Sequence, residues 1–224
     1  MGDNSYNELV LLASGGWRKD YDLHPLNSYL LQGNINKLFR GGLNVLLYFC
    51  DTSERYMFEP ILKILSTDKL DINHKCNHCE NALFKFCRAV NSNNILYAQT
   101  IIRKMLQMGI QISPNRNKKT CLNMLLLRVG HNISKIDKER IQSFKNIVKL
   151  LVQYGAIFDD NIQEKIQKGS NITFDSDELN DLKTCRSKFL RMETRFMICG
   201  LRMRETTRLV KEMKSLNLEP LMIT

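Results

Sequence analysis

The densest group of potential metal ligands in the chain is His74, Cys76, His78 and Cys79. Cys76 and Cys79 have the Cys-x-x-Cys spacing that lets two thiolates reach one tetrahedral zinc ion. Such a site needs two more ligands. They would be His74 or His78 with the distant Cys87 or Cys50, because no second Cys-x-x-Cys exists. The same residues equally suit an exposed polar turn, and the expectation for the whole chain is no metal and no cofactor. Cys50 and Cys87 lie inside apolar stretches and read as small core side chains rather than nucleophiles. His24 and His131 have no acid and nucleophile at a recognisable spacing, and no glycine-rich phosphate loop occurs. The carboxylates are scattered where helix ends and turns would solvate them. No enzyme is expected.

The elements that carry these residues belong to an ordinary globular chain. Its 224 residues are 43% hydrophobic and 25% charged, enough for one large domain or two small ones and too apolar for wholesale disorder. No uncharged apolar run reaches about 18 residues, so no membrane-spanning helix is expected. The first residues, MGDNSYNELVLL, do not read as a secretory signal. With seven cysteines, an odd number, the thiols are expected to be reduced, in the cytoplasm or nucleus. The net charge of +10 is uneven: residues 1–182 carry +4 and residues 183–214 carry +7. A near-neutral body with a basic end points away from general nucleic-acid binding. The end itself suits either a solvated helix face or contact with nucleic acid or an acidic protein.

The body repeats. Asn44-Val-Leu-Leu-Tyr-Phe-Cys50, Asn81-Ala-Leu-Phe-Lys-Phe-Cys87 and Thr120-Cys-Leu-Asn-Met-Leu-Leu126 share a Leu at 46, 83 and 122, with periods of 37 and 39 residues. A second apolar helix follows each: Met57 to Leu65, Ala98 to Leu106 and Phe144 to Leu151, all with one stripe at i, i+3, i+4, i+7 spacing. Each second helix leads to a turn with an alternating apolar pair: Leu70 and Ile72, Ile110 and Ile112, Ala156 and Phe158. Gly109 and Gly155 stand where a helix C-terminus takes a left-handed residue. Lys69 stands there in the first copy, so that turn is expected to be less regular. The unit is short helix, loop, longer helix, turn and extended hairpin. It cannot bury its stripe alone and must stack.

This pattern resembles the ankyrin repeat, whose units run T-P-L-H, an apolar helix, then V-K-L-L-x-x-G-A. The third copy is closest, with Thr120-Cys-Leu-Asn123 and Ile147-Val-Lys-Leu-Leu-Val-Gln-Tyr-Gly-Ala156. His24-Pro-Leu-Asn27 resembles a truncated earlier copy. The style of the copies, rich in Asn, Ile, Lys and Cys, is similar to ankyrin proteins of large DNA viruses such as poxviruses. No copy carries the whole T-P-L-H signature.

Behind the repeats, residues 178–218 have a helical pattern, closed by Leu218-Glu-Pro220. Asp175, Ser176 or Asp177 suits the N-cap. Leu182, Cys185, Arg186 and Phe189, followed by Leu218 and Pro220, resemble a SOCS box, with one residue fewer between Leu and Cys than usual. That resemblance implies a first helix that binds elongin B and elongin C and a later stretch that approaches a cullin. The other reading of these residues is a helical cap over the last repeat.

The expected fold is therefore all-α: an N-terminal cap over residues 1–23, an ankyrin-type helical solenoid over 24–160, a linker over 161–182 and a basic helical module over 183–224. The expected function is protein–protein interaction. Tyr48, Lys85, Arg88, Asn115, Arg116 and Asn123, polar or amphipathic and near the hairpin edges, are the expected partner-binding residues. The repeats would hold a target while the C-terminal module recruits a cullin–RING ubiquitin ligase, making the chain a substrate-receptor adaptor. Alternatives are a nucleic-acid-associated protein acting through its basic C-terminal helix, and an ankyrin decoy or inhibitor with no effector module.

Overall fold

In the computed structural model, which describes residues 24–31, 34–39, 41–51, 58–130, 138–159, 161, 162, 164, 172 and 174–191, two asparagines start two helices in the same way. Asn44 and Asn81 share φ −91°, with ψ 176° and 178°. Their Oδ1 atoms accept from Leu47 N at 2.9 Å and Phe84 N at 3.0 Å. Each bond satisfies an amide that the first helical turn leaves open, worth about 1 kcal/mol. In the third copy Thr120 replaces Asn. Thr120 Oγ1 accepts from Asn123 N at 3.2 Å, and Asn123 Oδ1 accepts from Thr120 N at 3.2 Å and from Thr120 Oγ1 at 2.7 Å. The cap is thus rebuilt reciprocally from two residues.

The helices so begun are α1 (His24–Leu31), α2 (Val45–Cys50), α3 (Phe58–Ile64), α4 (Ala82–Ala89), α5 (Ile95–Gln107), α6 (Cys121–Gly130) and α7 (Lys138–Gln153). An eighth, α8, spans 176–191. Among the described residues regular structure is all helix; the only extended pairing is an isolated bridge, Phe39 with Leu43. The expected hairpins are therefore linked turns rather than strands. Short helices α2, α4 and α6 pack in one row, and α3, α5 and α7 in a second. Leu46, Leu83 and Leu122, the shared leucines, are all buried between the rows, with Ile61, Ile101, Ile102, Ile147 and Val148 from the longer helices. Each such side chain contributes about 1.5–3 kcal/mol of burial.

The turn after each longer helix holds its left-handed residue where the sequence places it. Lys69 has φ 65°, in the same left-handed region as Gly109 at 83° and Gly155 at 106°. The first turn is still less regular, as expected: its helix ends at Ile64, five residues before Lys69, whereas Ile110 N bonds to Met105 O at 3.2 Å and Ala156 N to Leu151 O at 2.9 Å across the two glycine turns. A left-handed residue with a Cβ also costs about 1–2 kcal/mol. A side-chain clamp holds it. Asn36 Nδ2 donates to Lys69 O at 2.8 Å, and Asn36 Oδ1 accepts from Asp71 N at 2.8 Å. Asn73 repeats the clamp one unit on, donating to Gly109 O at 3.2 Å and accepting from Gln111 N at 2.7 Å. The residue in this register of the third copy is Ser113. Its hydroxyl is buried without a hydrogen-bond partner, because the side chain is too short to reach the next turn.

The C-terminal helix begins at one of its expected N-caps, Asp175, ahead of the module bound at 183. Asp175 Oδ1 accepts from Glu178 N at 2.8 Å and Glu178 Oε2 accepts from Asp175 N at 3.0 Å, a capping box that starts α8 inside the expected linker. Helix α8 docks on α7 through Lys145–Glu178 at 2.6 Å and Lys149–Asp181 at 2.9 Å. Gly155 has no room for a side chain here: a Cβ would lie 2.5 Å from Phe189 Cζ. The N-terminal cap expected over 1–23 lies outside the described residues, as does everything after 191.

The clamps predict unequal costs. Asn73→Ala removes two hydrogen bonds between units and should lower stability by about 1–2 kcal/mol in urea denaturation. Ser113→Ala removes a buried hydroxyl that has no partner and should be neutral or slightly stabilising.

Candidate binding surface

The repeat places residues 51, 88 and 127 in one register, as it does 48, 85 and 124. The first register is exposed or part-exposed in all three copies, whereas the second is buried at Lys85. In the first two copies they carry charge, and the charges meet across the stack. Lys85 is only 4% exposed. Its Nζ lies 2.8 Å from Asp51 Oδ2 and 3.7 Å from Glu80 Oε2. Arg88 Nη2 also pairs with Asp51 Oδ1, while its Nη1 reaches Glu80 Oε2 at 3.1 Å and Oε1 at 3.3 Å. Asn115 Nδ2 donates to Glu80 Oε1 at 3.3 Å. Two acids and two bases form a balanced set that joins the end of α2, the start and body of α4 and the third hairpin.

The electrostatics follow from this packing. Burial alone would raise the Asp51 carboxyl pKa, but the Lys85 and Arg88 hydrogen bonds outweigh it and hold it below its ordinary value. Burial opposes the charge of Arg88 too, and the Asp51 and Glu80 carboxylates overcome it and raise its pKa. Burial, with the Asp51 charge behind it, pushes the Cys50 thiol up. A hydrogen bond with Cys121 and then burial do the same for Cys87. Both thiols are therefore protonated at neutral pH, which leaves them poor nucleophiles.

The structure distributes the expected partner-binding residues differently from the sequence reading. Lys85 is a correction: it is an internal residue, because the neighbouring unit brings Asp51 to its ammonium. Arg88 is part-buried and sits in the same ion-pair set, and Asn115 reaches that set from the third hairpin. Asn123 serves as the α6 cap. Tyr48 is half-buried, 6.3 Å from Phe39 and 6.4 Å from Phe49 by ring centroids. Arg116 is exposed on the hairpin tip, where its backbone N donates to His78 O at 3.3 Å.

Three residues of this surface escaped the sequence reading. Asp51 and Glu80 are the acids that complete the network. Leu127, 47% exposed on α6, occupies the register of Asp51 and Arg88. Aligning the three copies on the shared Leu would have exposed that register. A cleft of about 170 Å³ opens beside it, lined by Asp51, Arg88, Ala89, Val90, Asn91 and Arg128.

The zinc candidates are drawn apart by the turn that holds them. Cys76 is buried, Cys79 is exposed with φ 59°, and His74 Nε2 donates to Gly42 O at 2.7 Å. Among the described residues no three His, Cys, Asp or Glu side chains are grouped to hold a metal ion. Of the residues that suggested an effector box, Leu182 is 2% exposed and packs into the core, with Cys185 half-buried beside it. Arg186 Nη1 donates to Gly155 O at 2.9 Å and its guanidinium lies 5.6 Å from the Phe189 ring centre. Leu218 and Pro220 lie outside the described residues.

No protein-family model matches the chain, and no curated protein is similar to it in sequence. The class that geometry defines is an all-helical chain of stacked helix pairs. No helix among the described residues is long and apolar enough to cross a membrane.

Asp51 ionises more readily in the folded chain than in the unfolded one. Its contribution to stability is therefore full above the ordinary carboxylate pKa of about 3.9 and is lost as pH falls through the lowered folded value. Asp51→Asn should lower stability at neutral pH by about 1–3 kcal/mol, a figure reduced from that of a fully buried pair because the Asp51 side chain is 36% exposed. Denaturation midpoints of parent and variant should converge as pH falls through that lowered value and the parent carboxylate is itself protonated.

Proposed function

We propose that the chain is an ankyrin-type repeat protein that binds another protein through its short-helix row and hairpin tips. The observation that carries this reading is the contrast within the repeat. Leu46, Leu83 and Leu122 stay constant and buried, while the outward register runs Asp51, Arg88, Leu127. A stack whose core positions repeat and whose outward positions differ offers one extended surface with local chemistry along it. Leu127 is a large apolar side chain held in the open on a rigid helix, the kind of residue that anchors an interface. The free buried thiols suit a reducing compartment, the cytoplasm or the nucleus.

Burial of Leu182 and the bond from Arg186 to Gly155 favour α8 as the cap of the stack. They support a binding module over an adaptor that offers this helix to elongins, since the face such a partner would need is already covered.

The test is affinity capture on the full chain, followed by binding of the purified captured protein. Leu127→Glu alters an exposed position and should change stability by no more than about 0.5 kcal/mol. It should weaken the captured partner roughly tenfold or more, equivalent to about 1.4 kcal/mol. Arg103→Glu, exposed on α5 in the other row, should leave affinity unchanged. Equal binding by both variants would put the contact elsewhere and reject the short-helix surface.

A further inference from the structure

Residues 81–136 contain nine Lys or Arg and no Asp or Glu. The middle of the body therefore carries +9, while residues 1–182 together carry only +4. Two of the nine, Lys85 and Arg88, are neutralised inside by Asp51 and Glu80. Three of the rest, Arg116, Lys118 and Lys119, are exposed together on the third hairpin tip. The second tip beside it exposes Lys75 and His78, and the two tips are joined by the bond from Arg116 N to His78 O. Among the described residues no carboxylate pairs with Lys75, Arg116, Lys118 or Lys119. Glu80, the acid between the two tips, is buried and turned to Arg88, Lys85 and Asn115.

The tip is also built to hold its shape. Asn115 Oδ1 accepts from Asn117 N and Lys119 N, both at 3.0 Å, and Asn115 N donates to Lys119 O at 2.9 Å. Lys118 takes φ 58°, matching Cys79 at 59° on the neighbouring tip. Asn115 ties this loop to Glu80, so the ion-pair set beneath holds the backbone that carries the cations. A loop already ordered in the free protein loses less freedom on binding.

We propose that the second and third hairpin tips form a preorganised cationic site for an acidic peptide segment of the partner protein. The proposal rests on the binding-module reading and names the chemistry of part of that surface. Neighbouring units in a helical stack lie about 10 Å apart, so an extended peptide of about five residues, at roughly 3.3 Å each, crosses both tips. Single-stranded nucleic acid fits less well. Its bases need aromatic platforms, and residues 75–79 and 115–119 contain no Phe, Tyr or Trp.

The experiment is fluorescence anisotropy on the full chain with labelled hexaglutamate, hexaglutamine, an oligouridylate and a DNA duplex, at low and physiological salt. The tip variant combines Arg116→Ser, Lys118→Asn and Lys119→Ser. A control variant removes the same charge elsewhere with Arg103→Ser, Lys138→Ser and Lys183→Ser, all exposed. Hexaglutamate should bind in preference to hexaglutamine and to both nucleic acids. Its affinity should fall roughly tenfold in the tip variant and less than about twofold in the control. No hexaglutamate binding, an equal loss in both variants, or tighter binding of either nucleic acid would each overturn the proposal. Those failures leave the binding-module reading standing if Leu127→Glu still abolishes capture. That reading falls separately if Leu127→Glu has no effect.

Discussion

A pair of helices as short as α2 and α3 leaves its apolar stripe facing water unless another pair stacks on it. Every other feature of the chain follows from keeping that stack in register. Ridge packing alone tolerates sliding, because one helix surface offers several similar grooves. Hydrogen bonds do not tolerate it. Asn36 and Asn73 each use both ends of one amide to grip the carbonyl and the amide that flank the next turn. Asn81 adds a bond from Nδ2 to Gln111 O at 2.6 Å while its Oδ1 caps α4. One residue type thus starts helices and fixes the distance between units, which explains the heavy use of asparagine in the repeats.

The ion-pair set extends the same logic to charge. A lysine taken out of water is costly unless a carboxylate goes with it. Lys85 has carboxylate partners within the stack because register brings Asp51 from the preceding unit and Glu80 from its own. The bonds to Arg88 and Asn115 then saturate the acids. The set couples three consecutive units, so a shift of one unit would strand a buried charge. This is a stronger constraint on register than any single apolar contact, since apolar contacts can be replaced after sliding and a stranded ammonium cannot.

Much of this was legible in the sequence. The shared leucines, the helix pairs and the glycine turns are local signals with fixed spacing, and all three appear where the periods put them. What holds the rest in place is not local. The left-handed conformation of Lys69 and the interior position of Lys85 depend on residues 33 and 34 positions away. Propensity sees a lysine as a poor turn residue and a good surface residue. It does not see Asn36 or Asp51 waiting for it. The basic centre was hidden for a different reason: a charge sum over residues 1–182 cancels the +9 of residues 81–136 against acids on either side.

The last described helix pair meets the same requirement as the interior. Phe144, Ile147, Val148 and Leu151 on α7 need a cover. Leu179, Leu182 and Cys185 supply a stripe that packs on this core, with Phe174 edge-on to Phe144 at 6.4 Å and Lys145 over the Phe174 ring at 5.3 Å. Lys183, Lys188 and Arg191 are left exposed on the opposite side of the same helix. The beginning of the basic C-terminal segment thus has a structural explanation of its own: a helix that covers apolar surface on one face carries its polar side chains on the other.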